Sequence, residues 1–174
     1  MKRLLTAWWR NDSAVMALEA GLLFPVLATI MMGVVDIGSG LVTNQKLVNA
    51  SHMVADLLAR EDDITDAEFT DSVVAGEMAM NPYDTTSFGY DVVGIRFEEE
   101  ELTPTVIWRE TFNMPENASA EADSEGLGSE DEGVIVVTLK FLYVPVFSEF
   151  MTGPITMEEV AFARGRKGYF VTRS

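Results

Sequence analysis

The chain has 174 residues, enough for one modest domain with an anchor but too few for two large domains. It contains no cysteine and one histidine, His52, which excludes disulfides, thiolate nucleophiles and zinc-thiolate sites and leaves a histidine-based triad only one residue to be built on. Its net charge of −16 is concentrated in an acidic body, which repels phosphates and argues against a nucleic-acid partner.

Residues 1–13 form a basic leader, with Lys2, Arg3 and Arg10 against Asp12, followed by a stretch apolar enough to enter a bilayer. Residues 14–35 are mostly apolar and reach roughly 33 Å as a helix, against a hydrocarbon core of roughly 30 Å. A transmembrane helix is therefore predicted over residues 14–37. The leader carries the positive charge and the residues just after the span have only Lys46, so the N-terminus should stay on the cytoplasmic side. Trp8 and Trp9 suit the interfacial aromatic belt. A cleaved secretory signal is the rival, but the charge of Glu19 and the length of the run argue against it.

Two residues in this span need explaining. A carboxylate such as Glu19 at membrane depth costs roughly 2.5 to 3.5 kcal/mol on insertion scales and is kept mainly where it has a partner. Pro25 removes one backbone hydrogen bond and crowds the carbonyl of Gly21, so a kink or loosening is expected between them. Neighbouring helices can satisfy such a backbone, and the span reads as a helix that packs against others.

Beyond Asp36 the helical period persists through Thr43, Leu47, Ala50, Val54, Leu57 and Leu58, predicting one apolar stripe on a helix that leaves the bilayer and ends near Arg60. His52 falls on this helix and reads as a solvated or packed surface histidine. TDAE, residues 65–68, is a capping-box pattern that starts a second helix running to about Met80, with Phe69, Val73 and Met80 on one side. NPYD ends it. From Gly89 the pattern changes to strands: YDVVGIRFE, TPTVIWRE, the long β-branched run GVIVVTLKFLYVPVF closed by Pro145, and MEEVAFARGRKGYFV.

The fold class is therefore α+β: a long N-terminal transmembrane helix continuing outside the membrane, a short second helix and an antiparallel sheet of about four strands. Residues 38–174 form the domain outside the cytoplasm. Glu98 to Glu101 read as a solvated turn, lacking the spaced ligands of a calcium loop. Residues 113–133 hold seven acids and no base, and read as a mobile acidic loop. The closing bases Arg164, Arg166, Lys167 and Arg173 read as a solvated strand end, or as partners for an acidic neighbour or for the acidic loop.

SAVMALEAGLLFPVLATIMMGVVDIG, residues 13–38, resembles the N-terminal signature of the TadE-like and TadF-like minor pilins, or pseudopilins, of the bacterial tight-adherence pilus, which is related to type IV pili. The signature places a small residue five before a Glu, a Pro six after it and an Asp at the end, here Ala14, Glu19, Pro25 and Asp36. YVPVF and VAFARGRKG resemble later parts of the family pattern. The resemblance implies a pilin-like fold, and processing by a prepilin peptidase between Ala14 and Val15, although the family usually carries Gly where this chain has Ala14. A cut there gives Val15 a free amine four residues before Glu19, on one helix face, so amine and carboxylate can pair within a subunit or between staggered neighbours.

These observations predict a structural component of a tight-adherence pilus, held as a single pass in the bacterial inner membrane with its body in the periplasm. The expected partners are membrane lipid, other minor pilins, pilus assembly proteins and the prepilin peptidase. The alternative is a bitopic adaptor or sensor whose acidic domain binds a partner without entering a filament. No nucleophile–base–orienter set and no Gly-rich phosphate loop can be assembled, so no catalytic residue, metal, cofactor or small-molecule substrate is expected.

Overall fold

A computed structural model describes residues 12–98, 102–129, 131–147, 153–166 and 170–174. The basic leader with Trp8 and Trp9, most of the Glu98–Glu101 turn, and Lys167 lie outside the described residues.

Helix α1, Asp12–Leu58, is 47 residues long and spans roughly 70 Å. Its first half projects from the body with its apolar side chains exposed, including Leu18, Leu22, Phe24, Leu27 and Met31. Its second half buries the expected stripe: Thr43, Leu47, Ala50, Val54 and Leu58 are all at most 1% exposed. Leu57, expected in this stripe, is half-buried at its edge, and Ala55 and Ala59 complete the buried face instead.

After a two-residue strand β1, Asp63–Ile64, helix α2 runs Asp66–Ala79 with Met80 as its C-cap. The capping box forms as predicted: the Glu68 N–H donates to Thr65 Oγ1, and the Thr65 N–H donates to the Glu68 carboxylate at 2.9 Å. Phe69, Val73 and Met80 face inward together. The two helices meet at Gly76, where a Cβ would lie 2.4 Å from Val54 Cγ2, so glycine permits the close crossing.

Four strands follow: β2 Gly89–Phe97, β3 Pro104–Phe112, β4 Gly133–Tyr143 and β5 Ile155–Arg164. They pair antiparallel in the order β3-β2-β4-β5. β4 stops at Tyr143, short of the predicted end, because VPVF turns away toward α1. β5 begins at Ile155 and stops at Arg164, so Phe170 and Val171 are not part of it, and the rest of the predicted strand end, 167–169, lies outside the described residues. Instead β6, Thr172–Arg173, pairs parallel with β1, closing the C-terminus onto the link between the helices.

The two central strands, β2 and β4, are buried on both faces. Val92, Ile135, Val137, Leu139 and Phe141 pack with the helices, while Val93, Ile95, Phe97, Val134 and Val136 form a second apolar cluster behind them. The acidic segment expected as a mobile loop covers this second face. It carries a one-turn helix α3, Ala120–Asp123, with Ala120 buried in the second cluster and Leu127 packed on it. The segment alone holds too little apolar area to fold, but the sheet supplies the rest. Buried Asp91 anchors it, accepting the Asn117 N–H at 2.8 Å, the Thr111 hydroxyl at 2.6 Å and an Arg109 Nη2–H at 3.3 Å.

The terminal arginines are paired rather than merely solvated. Arg164 lies 3.8 Å from Glu132, Arg166 bonds Asp56, and Arg173 reaches Asp66 at 2.9 Å and Glu110 at 3.0 Å while stacking over Phe69. His52 is exposed on α1.

Candidate functional site at the junction of helix and sheet

The processing and register residues predicted from sequence, Ala14, Val15, Glu19 and Pro25, all lie on the projecting half of α1. The Ala14–Val15 bond sits within its first turn. Val15 is 47% exposed and Glu19, one turn on, is exposed beside it. Among the described residues Glu19 has no hydrogen-bond or ion-pair partner within its own chain. The helix runs through Pro25 without interruption, and Thr29 Oγ1 donates to the Pro25 carbonyl at 2.9 Å. Gly21, whose carbonyl faces the proline position, has open space around its Cα. The fold thus leaves Val15, Glu19 and Pro25 available to other molecules and does not bring them against the body.

The built site is one the sequence reading missed. Asp36, taken there as the boundary of the span, is 5% exposed and holds the end of the sheet against α1. Its Oδ1 accepts the Val146 N–H at 2.9 Å and the Phe147 N–H at 3.1 Å, and its Oδ2 accepts the Phe147 N–H at 3.1 Å. Its backbone carbonyl accepts the Tyr143 hydroxyl at 2.8 Å. One helix turn on, Gly40 admits the tyrosine ring: a Cβ there would lie 3.3 Å from Tyr143 Cε1. Burial raises the Tyr143 hydroxyl above the usual phenol range, and the nearby Asp36 charge adds to this. These partners are 107 to 111 residues apart in sequence, so no local spacing exposes them.

Asn44 extends the clamp, donating to Glu159 Oε1 of β5 at 2.9 Å. Two clefts flank Tyr143. One of about 400 Å3 is lined by Ser39, Tyr83, Asp84, Ser87 and Val146, and one of about 330 Å3 by Ile37, Gly40, Leu41, Pro145 and Ile155. Among the described residues no group of three His, Cys, Asp or Glu is placed to hold a metal ion. The arrangement joins the projecting apolar helix to the folded acidic body through side-chain and backbone hydrogen bonds.

Among the described residues α1 is the helix long and apolar enough to cross a membrane, and its apolar half is almost wholly exposed. Residues 14–56 match the family model described as TadE-like protein, a similarity that covers helix α1 from its first turn into the stripe that packs on the sheet. Searches of curated proteins and of solved structures returned no match to the chain.

Proposed function

We propose that this protein is a membrane-anchored, minor-pilin-like component of a tight-adherence pilus assembly, which packs side by side with like helices through the first half of α1. The observation that carries the reading is the division of one TadE-like helix into two halves. The second half is consumed by its own domain, while the first, with Glu19 and Pro25, keeps every face open.

In this reading α1 crosses the inner membrane once, the leader stays cytoplasmic and the acidic body lies in the periplasm. A prepilin peptidase cuts between Ala14 and Val15. The new Val15 amine and the Glu19 carboxylate then offset each other's burial, within one subunit or across staggered neighbours. Glu19 acts as a register element, and Pro25 leaves a backbone carbonyl for a neighbour to satisfy.

The test is Glu19→Ala in the native host. Membrane insertion should remain at wild-type level while surface pili are lost. Unaltered piliation would show that the register role is wrong. The mass of the membrane-extracted protein reports the processing step, which requires a chain beginning at Val15.

A further inference from the structure

We infer that the body has a second membrane contact: the segment Val144–Phe147, held down by Asp36, is immersed with residues 37–42 of α1 in the outer leaflet of the bilayer. The inference rests on α1 spanning the membrane, as proposed above.

The first observation is where charge resumes. After Glu19 the only ionisable side chain on α1 before Lys46 is Asp36, and its carboxylate is buried and bonded to two backbone N–H groups. Residues 37–45 are therefore an uncharged continuation of the span, roughly 13 Å long. The sheet changes at the same level. Tyr143 pairs with Ile155, Leu142 with Thr156 and Phe141 with Met157, and only the next pair, Lys140 with Glu158, is charged. Three residue steps along a strand are roughly 10 Å, which matches the helix.

The second observation is that the surface in this band is apolar and open. Val146 is 72% exposed, Ile37 67% and Leu41 68%, and Val144, Phe147, Ile155 and Val42 are also exposed. Asp84, exposed and sharing a cleft with Ser39, Tyr143 and Val146, would meet the headgroup layer.

The occupant is lipid because this surface is continuous with the span and wraps around the helix. Ile37 and Val42 alone are roughly 140° apart around the axis, with VPVF adding a further side. A partner helix would cover one face, whereas lipid covers all of them. The Asp36 bonds give the loop its place: they offset the burial of the carboxylate and hold Val146 and Phe147 level with it.

The chain has no native cysteine, so single-cysteine probes are unambiguous. The full-length protein carrying Val146→Cys, Leu41→Cys, Ile30→Cys or Met53→Cys is labelled with nitrobenzoxadiazole. Each is placed in phosphatidylcholine–phosphatidylglycerol vesicles, with lipids bearing a nitroxide at acyl carbon 5 as quencher. The probes at 146 and 41 should be blue-shifted and quenched at least half as strongly as that at 30, independent of protein density. The probe at 53, roughly 26 Å beyond Asp36 along the helix, should behave as in water. If 30 is quenched while 146 and 41 resemble 53, the immersion proposal fails and the anchor stands. If 30 is unquenched too, the anchor reading falls with it. Protection at 146 that appears only when protein density is raised would assign the face to a second copy and overturn the proposal.

Discussion

Replacing Asp36 with alanine should break the joint between rod and body without touching the hydrophobic core. The carboxylate accepts N–H groups from Val146 and Phe147 at 2.9 to 3.1 Å and is 5% exposed. Hydrogen bonds to a charged group contribute roughly 1.5 to 3 kcal/mol, and a buried donor left unpaired costs roughly 1 to 3 kcal/mol. The two effects describe one loss from opposite sides and are not additive. Val146 is 72% exposed, so the lower part of the range applies to its N–H. A loss of about 3 kcal/mol is expected for Asp36→Ala. Asp36→Asn keeps one acceptor oxygen and should lose about half as much. Tyr143→Phe removes a neutral bond to the Asp36 carbonyl and should cost about 1 kcal/mol. Urea unfolding of the full chain in detergent, followed by circular dichroism and by tryptophan fluorescence, measures all three. Trp108 serves as a reporter because its indole N–H donates to the Val171 carbonyl at 2.8 Å. If Asp36→Ala unfolds within 0.5 kcal/mol of wild type, roughly the spread of neutral surface changes, the carboxylate is not the joint.

Two further outcomes follow from the same coordinates. Asp91 is fully buried and holds Arg109, Thr111 and Asn117 together, so Asp91→Ala should cost on the order of 3 kcal/mol and release residues 113–133, read as faster amide exchange there than in β4. Tyr143 and Tyr90 have hydroxyls raised mainly by burial, with Asp36 and Glu110 adding to the respective shifts. A folded value above the unfolded one, near 10, means that the stabilisation is complete below about pH 10 and is lost as pH climbs through the raised values. The urea midpoint should therefore fall above pH 10, and less steeply in Tyr143→Phe.

Much of this fold was legible because its signals are local. The stripe Thr43, Leu47, Ala50, Val54 repeats at helical spacing, and Thr65 with Glu68 states a helix start within four residues. The four strands announced themselves by β-branched runs. What was missed depends on distance. Nothing near Asp63 indicates pairing with Thr172, and nothing near Asp36 names Val146. The second apolar face did leave a trace: GVIVV is continuous rather than alternating, the pattern of a strand covered on both sides. Reading it so would have required a cover, and residues 113–133 supply it with little more than Ala120 and Leu127. The acids that pair with the C-terminal arginines lie on α1, α2, β3 and the acidic segment before β4, all distant in sequence except Glu132.

Two carboxylates on one helix show how the molecule divides its labour. Asp36 and Glu19 are 17 residues apart, roughly 26 Å along α1, and both interrupt an apolar sequence. The cost of each must be offset by donors. Asp36 finds them inside the chain, in the N–H groups of a loop more than a hundred residues away, and the result is a rigid shoulder. Glu19 sits on a stretch that the fold leaves bare on every side, so its donors must come from outside the body: a new N-terminal amine, a neighbouring helix or the headgroup layer. A headgroup can satisfy the carboxylate but not the backbone at Pro25, which lies six residues deeper in the apolar run. A neighbouring helix can satisfy both, and on the proposed reading this joint requirement favours lateral packing over simple snorkelling.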